Sequence, residues 1–93
     1  MRRNTDVPVP NLRARAVELS VDGALLQRRQ RREPPLVQSL ELDLGGVSIA
    51  THARTIWARG ELQAVRFVGL GEIDRLEIAE HLDRLERRRR AQL

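Results

Sequence analysis

Cysteine is absent from the 93-residue chain, which excludes a disulfide framework, thiol chemistry and any zinc site built on thiolates. His52 and His81 are the two histidines, so a structural metal site is not expected and no cofactor is implied. Aromatics are nearly missing, with one Trp, one Phe and no Tyr. No apolar run approaches the ~18 residues that a membrane span requires, and the polar opening Met-Arg-Arg-Asn-Thr-Asp has no apolar stretch behind it. Neither insertion nor secretion is signalled, so a cytoplasmic location is expected. Lysine is missing as well: all 17 basic residues are Arg, against 13 acids, for a net charge of +4. The guanidinium fork matches phosphate oxygens in pairs, which favours partners carrying phosphate. A GC-rich genome also encodes Arg in preference to Lys, so only arginines with a definite place in the fold carry an argument.

At about 100–150 residues per domain, the chain is one domain with one core, too small for a second lobe or a deep cofactor cleft. Residues 1–11 form an N-terminal arm, because the Val-Pro-Val-Pro run with Pro8 and Pro10 is extended and cannot lie in a central strand. Alternation over 12–19 predicts a strand, residues 20–23 a turn rich in Asp and Gly, and 24–27 the next strand. The charged stretch 28–33, closed by Pro34 and Pro35, reads as an exposed loop. Residues 36–44 alternate cleanly, Gly45-Gly46 is a hairpin signal, and 47–58 is a long strand with Val47, Ile49, Ala53 and Trp57 on one face. Arg59-Gly60 turns into a strand over 62–68, where Val65 and Phe67 share one face and Leu62, Ala64, Arg66 and Val68 the other. That register predicts Arg66 partly buried against a carboxylate. Val65, Phe67 and Trp57 are expected in the core or packed between barrel and helix.

At Gly69 the period changes. Ile73, Leu76, Ala79, Leu82 and Leu85, with Ile78, predict an amphipathic helix of about four turns, with acids at its start and Arg87 to Arg90 at its end as the macrodipole favours. The domain proper thus spans 12–86, followed by a basic tail, 87–93. With hairpin-length connections throughout, parallel crossovers have no room. Five or six antiparallel strands curl into a small sheet or barrel, with the helix over one opening or edge.

Ser20, Ser39 and Ser48 are the only serines, and neither histidine has a partner at a spacing that suggests catalysis, so no enzyme is expected. His52 and His81 read as solvated. Walker-type and dinucleotide-type glycine loops are absent. Arg28, Arg29, Arg31 and Arg32 form a basic cluster, but nonspecific nucleic-acid binding is disfavoured because single-strand binders interleave aromatics with their charges.

Two segments carry a further signal. The strand and turn Val17-Glu18-Leu19-Ser20-Val21-Asp22-Gly23, followed by Ala24, Leu25 and Leu26, and the run Ala64-Val65-Arg66-Phe67-Val68-Gly69-Leu70 leading into the helix, resemble the PilZ domain family over roughly residues 12–86. The first matches the family's Asp/Asn-x-Ser-x-x-Gly turn at Glu18, Ser20 and Gly23; the second matches its Gly-Val-Arg-Phe-x-x-Leu strand. The resemblance implies a six-stranded antiparallel β-barrel, its first strand missing or merged here, with one C-terminal helix. It also implies a part in bacterial cyclic di-GMP signalling. In the family the dinucleotide is held by an Arg-x-x-x-Arg arm and by that turn, so the matching ligand positions are Arg2 or Arg3, Glu18, Ser20 and Gly23.

The departures point away from tight binding. Counting from Arg2 or Arg3, the second arginine of the arm falls on Asp6 or Val7, and Asp6 repels phosphate. Glu18 stands where the family has a shorter acid or amide. Losing one charge-assisted contact removes about 1.5–3 kcal/mol, roughly ten- to more than a hundredfold in affinity. The expectation is therefore a PilZ-like regulatory domain with weak or lost nucleotide binding and an adaptor role toward an unknown protein. The alternative is a receptor that still grips cyclic di-GMP through a rearranged arm, with Arg13 or Arg15 helping. A core this small leaves room for a homodimer.

Overall fold

The computed structural model describes residues 3–92, the Arg3 side chain excepted. Six strands, β1 (Arg3–Val9), β2 (Ala14–Leu19), β3 (Gly23–Gln27), β4 (Val37–Asp43), β5 (Ser48–Arg59) and β6 (Leu62–Val68), precede one helix, α1 (Glu72–Ala91). All pairings are antiparallel and the strand order is β1-β2-β3-β6-β5-β4. The sheet curls into a half-barrel whose two edge strands, β1 and β4, approach each other. Its inner face carries the core, including Val9, Leu19, Leu26, Leu40, Leu42 and Ile49, onto which Ile78 and Leu82 of α1 pack.

The expected N-terminal arm is the first strand of the sheet. Pro8 removes a backbone donor, but β1 pairs with one neighbour only, β2, so an edge strand tolerates it. Val7 and Val9 are buried in the core. Between β1 and β2 the chain makes a short 3-10 turn, Pro10–Leu12, which presents Asn11 to the open edge of β4. The Asn11 amide nitrogen donates to the Ser39 carbonyl at 2.9 Å, and its amide oxygen accepts the Glu41 N–H at 2.9 Å. One side chain thus imitates a strand residue and closes the gap between the two edges. Asn11→Ala should lower the unfolding free energy by about 1 kcal/mol, and Asn11→Asp, which keeps the acceptor and loses the donor, should recover part of it in urea denaturation.

Three expectations about faces are corrected. Trp57, expected in the core, is 47% exposed. The β5–β6 register shifts between Thr55 and Trp57, and a bulge of this kind, with one extra residue at Ile56, reverses the alternation beyond it. Val47, expected on the same inward face, lies outside β5 and is exposed. Arg66 is exposed rather than buried against a carboxylate, because β6 sends Gln63, Val65 and Phe67 inward and Leu62, Arg66 and Val68 outward.

The helix is longer than expected and turned about its axis. It continues through the supposed tail to Ala91, held by pairs four residues apart, Asp83 with Arg87 at 2.9 Å and Glu86 with Arg90 at 3.7 Å. Ile78 and Leu82 are buried and Leu85 is partly buried, whereas Ile73, Leu76 and Ala79 are exposed. A three-residue step at about 100° per residue drifts about 60° each time, so the apolar stripe winds around the helix and only its 78, 82, 85 portion meets the sheet. Among the described residues no helix is long and apolar enough to cross a membrane.

Candidate functional site

Of the residues singled out by the sequence, Glu18, Ser20 and Gly23 lie at one end of the sheet. Glu18, next to last in β2, pairs with Asn4 of β1 and Leu25 of β3, and Arg3 pairs with Leu19, so β1 begins opposite the residue that leads into the turn at 20–23. Arg2 and the Arg3 side chain lie outside the described residues. Glu18 is half-buried.

The turn is internally satisfied. The Ser20 hydroxyl oxygen accepts the N–H groups of Asp22 at 3.1 Å and Gly23 at 3.2 Å, and the hydroxyl donates to the Gly23 carbonyl at 3.3 Å. The Ser20 N–H reaches the same carbonyl at 2.9 Å. This is the local side-chain-to-backbone bonding that Ser favours in turns. The Asp22 carbonyl takes the Phe67 N–H at 2.8 Å, stitching the turn to β6, and its carboxylate pairs with Arg75 of α1 at 3.2 Å. Gly23 is set by packing: a Cβ there would stand 2.2 Å from the Val65 carbonyl oxygen. Ser20 and Gly23 therefore build the barrel.

Sequence reasoning read Asp22 as a turn residue but missed its partner Arg75, which reaches the turn from α1. Arg75 lies 53 positions from Asp22, a separation with no local signature. The partner of Asp6 had no local signature either. On β1 that carboxylate is hydrogen-bonded and ion-paired with Arg15 of β2, and this hydrogen bond, with the attraction of the Arg15 charge, holds the Asp6 carboxyl below its usual range. The charge of Asp6 thus has a partner on the neighbouring strand. His81 on α1 is partly buried and its imidazole is pushed down, first by that burial and then by Arg84 and Arg88. His52 is exposed on the outer face. Among the described residues no group of three or more acidic or histidine side chains is placed to hold a metal.

A second feature lies on the outer face of β3, β6 and β5. In register across these strands stand Gly23, Arg66 and Arg54, then Leu25, Ala64 and Trp57, then Gln27, Leu62 and Arg59. Ile56, Trp57, Leu62 and Val68 are exposed there, so apolar side chains alternate with rows of guanidinium groups. No described carboxylate forms an ion pair with Arg54, Arg59 or Arg66. Outward Leu and Trp next to Arg is a composition found where surfaces are covered by a partner.

No family model matches the chain, and no curated protein is similar to it. A crystal structure of an uncharacterized Legionella protein is similar to it, with a TM-score of 0.73 over 97% of this chain and 98% of that one, at 20% identity. The likeness is one of fold: a six-stranded antiparallel half-barrel with a C-terminal helix.

Proposed function

We propose that the chain is a non-enzymatic, PilZ-like adaptor domain of cyclic di-GMP signalling, in which the turn that grips nucleotide elsewhere in that family serves the barrel, and which acts by docking a protein. One observation carries this reading: the Ser20 hydroxyl is engaged by the N–H groups of Asp22 and Gly23, while Gly23 sits under the Val65 carbonyl. A ligand reaching for these groups would have to open the turn. The segment expected to close over a nucleotide is hydrogen-bonded into the sheet as β1, which further supports an adaptor.

The outer face of β3, β6 and β5 is the docking surface in this reading. Trp57 and Leu62 supply apolar anchors, and Arg54, Arg59 and Arg66 call for carboxylates, so the matching partner is an acidic segment with interspersed apolar side chains. Aromatic and Arg anchors dominate such interfaces.

The test is calorimetric titration of the folded chain with cyclic di-GMP at low and moderate salt, beside an Arg2→Ala, Arg3→Ala double variant. No saturable heat in the micromolar range is expected. Saturable micromolar binding that the double variant loses would overturn the reading and make the chain a receptor with a rearranged N-terminal grip.

A further inference from the structure

At the other end of β2 from the Ser20–Gly23 turn, the surface opens into a depression of about 750 Å³ between the 3-10 turn and the end of β3. Arg13, Arg15, Arg28 and Arg29 line it, and among the described residues Glu61 is the one carboxylate in its wall. We propose that this depression is a binding site for a small molecule carrying two linked phosphoryl groups. Its volume is in the range of small-ligand pockets, and guanidinium forks suit phosphoryl oxygens in pairs.

Two features set it apart from a solvated basic patch. The first is Arg28, expected on an exposed loop but only 9% exposed. Its guanidinium donates to the Arg32 carbonyl at 2.8 Å and the Gly60 carbonyl at 3.2 Å, and its Nε is buried with no hydrogen-bond partner among the described residues. No described carboxylate pairs with it. Burying a charge without its opposite is costly, and the fold leaves the compensating charge to something outside the chain. An anion in the depression supplies it through space, since the Nε itself is closed to solvent.

The second feature is Arg13. It follows the Pro10–Leu12 turn in the left-handed region, with φ 51° and ψ 43°, and its N–H closes back on the Pro10 carbonyl at 3.2 Å. A side chain with a Cβ rarely adopts this conformation, and here the proline-led turn imposes it, leaving Arg13 on the rim. Arg29 stands beside Arg28, while Arg15 is shared with Asp6. With Glu61 opposing, a single phosphate gains less than a ligand with two phosphoryl groups, which can span the guanidiniums and stand clear of the carboxylate.

The experiment titrates the chain with sodium pyrophosphate and, separately, with ADP at low salt, with orthophosphate as the single-phosphate comparison. Pyrophosphate should bind saturably with one site per chain and more tightly than orthophosphate. Tighter binding of ADP assigns the site to nucleotides, and tighter binding of pyrophosphate assigns it to the inorganic form. An Arg13→Gln, Arg29→Gln variant should lose at least tenfold in affinity while unfolding at the same urea midpoint, because both side chains are exposed. An Arg87→Gln, Arg90→Gln variant of the same net charge should bind as the parent does. No saturable binding by either probe, or an equal loss in both variants, overturns the proposal. The outcome is separable from that of the cyclic di-GMP titration, since binding through this depression would survive Arg2→Ala, Arg3→Ala.

Discussion

Gly23→Ala is expected to cost about 3 kcal/mol or more and to leave the domain marginally folded at best. The added Cβ would lie 2.2 Å from the Val65 carbonyl oxygen, 3.2 Å from the Arg66 Cα and 3.3 Å from the Val65 carbonyl carbon. All three are backbone atoms of β6, a strand hydrogen-bonded to β3 on one side and β5 on the other. A flexible side chain could step aside; a strand held on both edges cannot move without breaking a ladder. Overpacking typically costs about 1–3 kcal/mol and sometimes more, and a clash with fixed backbone belongs at the upper end. Total stability of about 5–15 kcal/mol, with a small domain near the lower bound, makes that a large fraction. Urea denaturation followed by circular dichroism measures it directly, and a midpoint equal to that of the parent would refute the packing account of Gly23. The result also governs how binding data are read. If Gly23→Ala unfolds the domain, loss of any ligand in that variant says nothing about contact between ligand and turn.

Within α1, Ile78→Ala should destabilise the domain by about 2–5 kcal/mol, whereas Ile73→Ala should stay within about 0.5 kcal/mol of the parent. The two residues have the same side chain on the same helix, but Ile78 is fully buried against the sheet and Ile73 is 78% exposed. Removing Ile78 leaves a cavity under the helix, and Leu82 and the partly buried Leu85 are then the helix's remaining apolar contacts with the core. Removing Ile73 returns a methylene-rich side chain from water to water. Similar losses in both variants would mean that the helix docks through a different face.

The elements of the sheet were legible because alternation reports a half-buried strand directly. Leu40 and Leu42 are buried while Ser39, Glu41 and Asp43 are exposed, as the pattern required. The helix announced itself by the change of period at Gly69, and its acidic start and basic end suit the macrodipole. What alternation could not reveal was the bulge at Ile56. A single inserted residue leaves composition untouched yet turns Trp57 outward, which is why an expected core residue became part of an exposed surface. Nor could a run of charges show that Arg28 folds inward, since its partners are the carbonyls of Arg32 and Gly60.

The turn at Ser20 and Gly23 illustrates the division. From the amino-acid order alone, the type of residue and the reversal of the chain were determined, because Ser, Asp and Gly favour turns through local bonds and a small Cα. Whether those groups were open to a ligand was decided by the tertiary structure, through β6 running against Gly23 as its sheet neighbour and Arg75 arriving from the helix. Likewise, the prolines kept residues 7–9 extended by local sterics, but only the exposed edge of β2 made residues 3–9 a strand. Short-range preferences act within a few residues and can be read along the chain. Burial, edge pairing and the company of charges depend on segments far apart in sequence, and exist only once the half-barrel has closed.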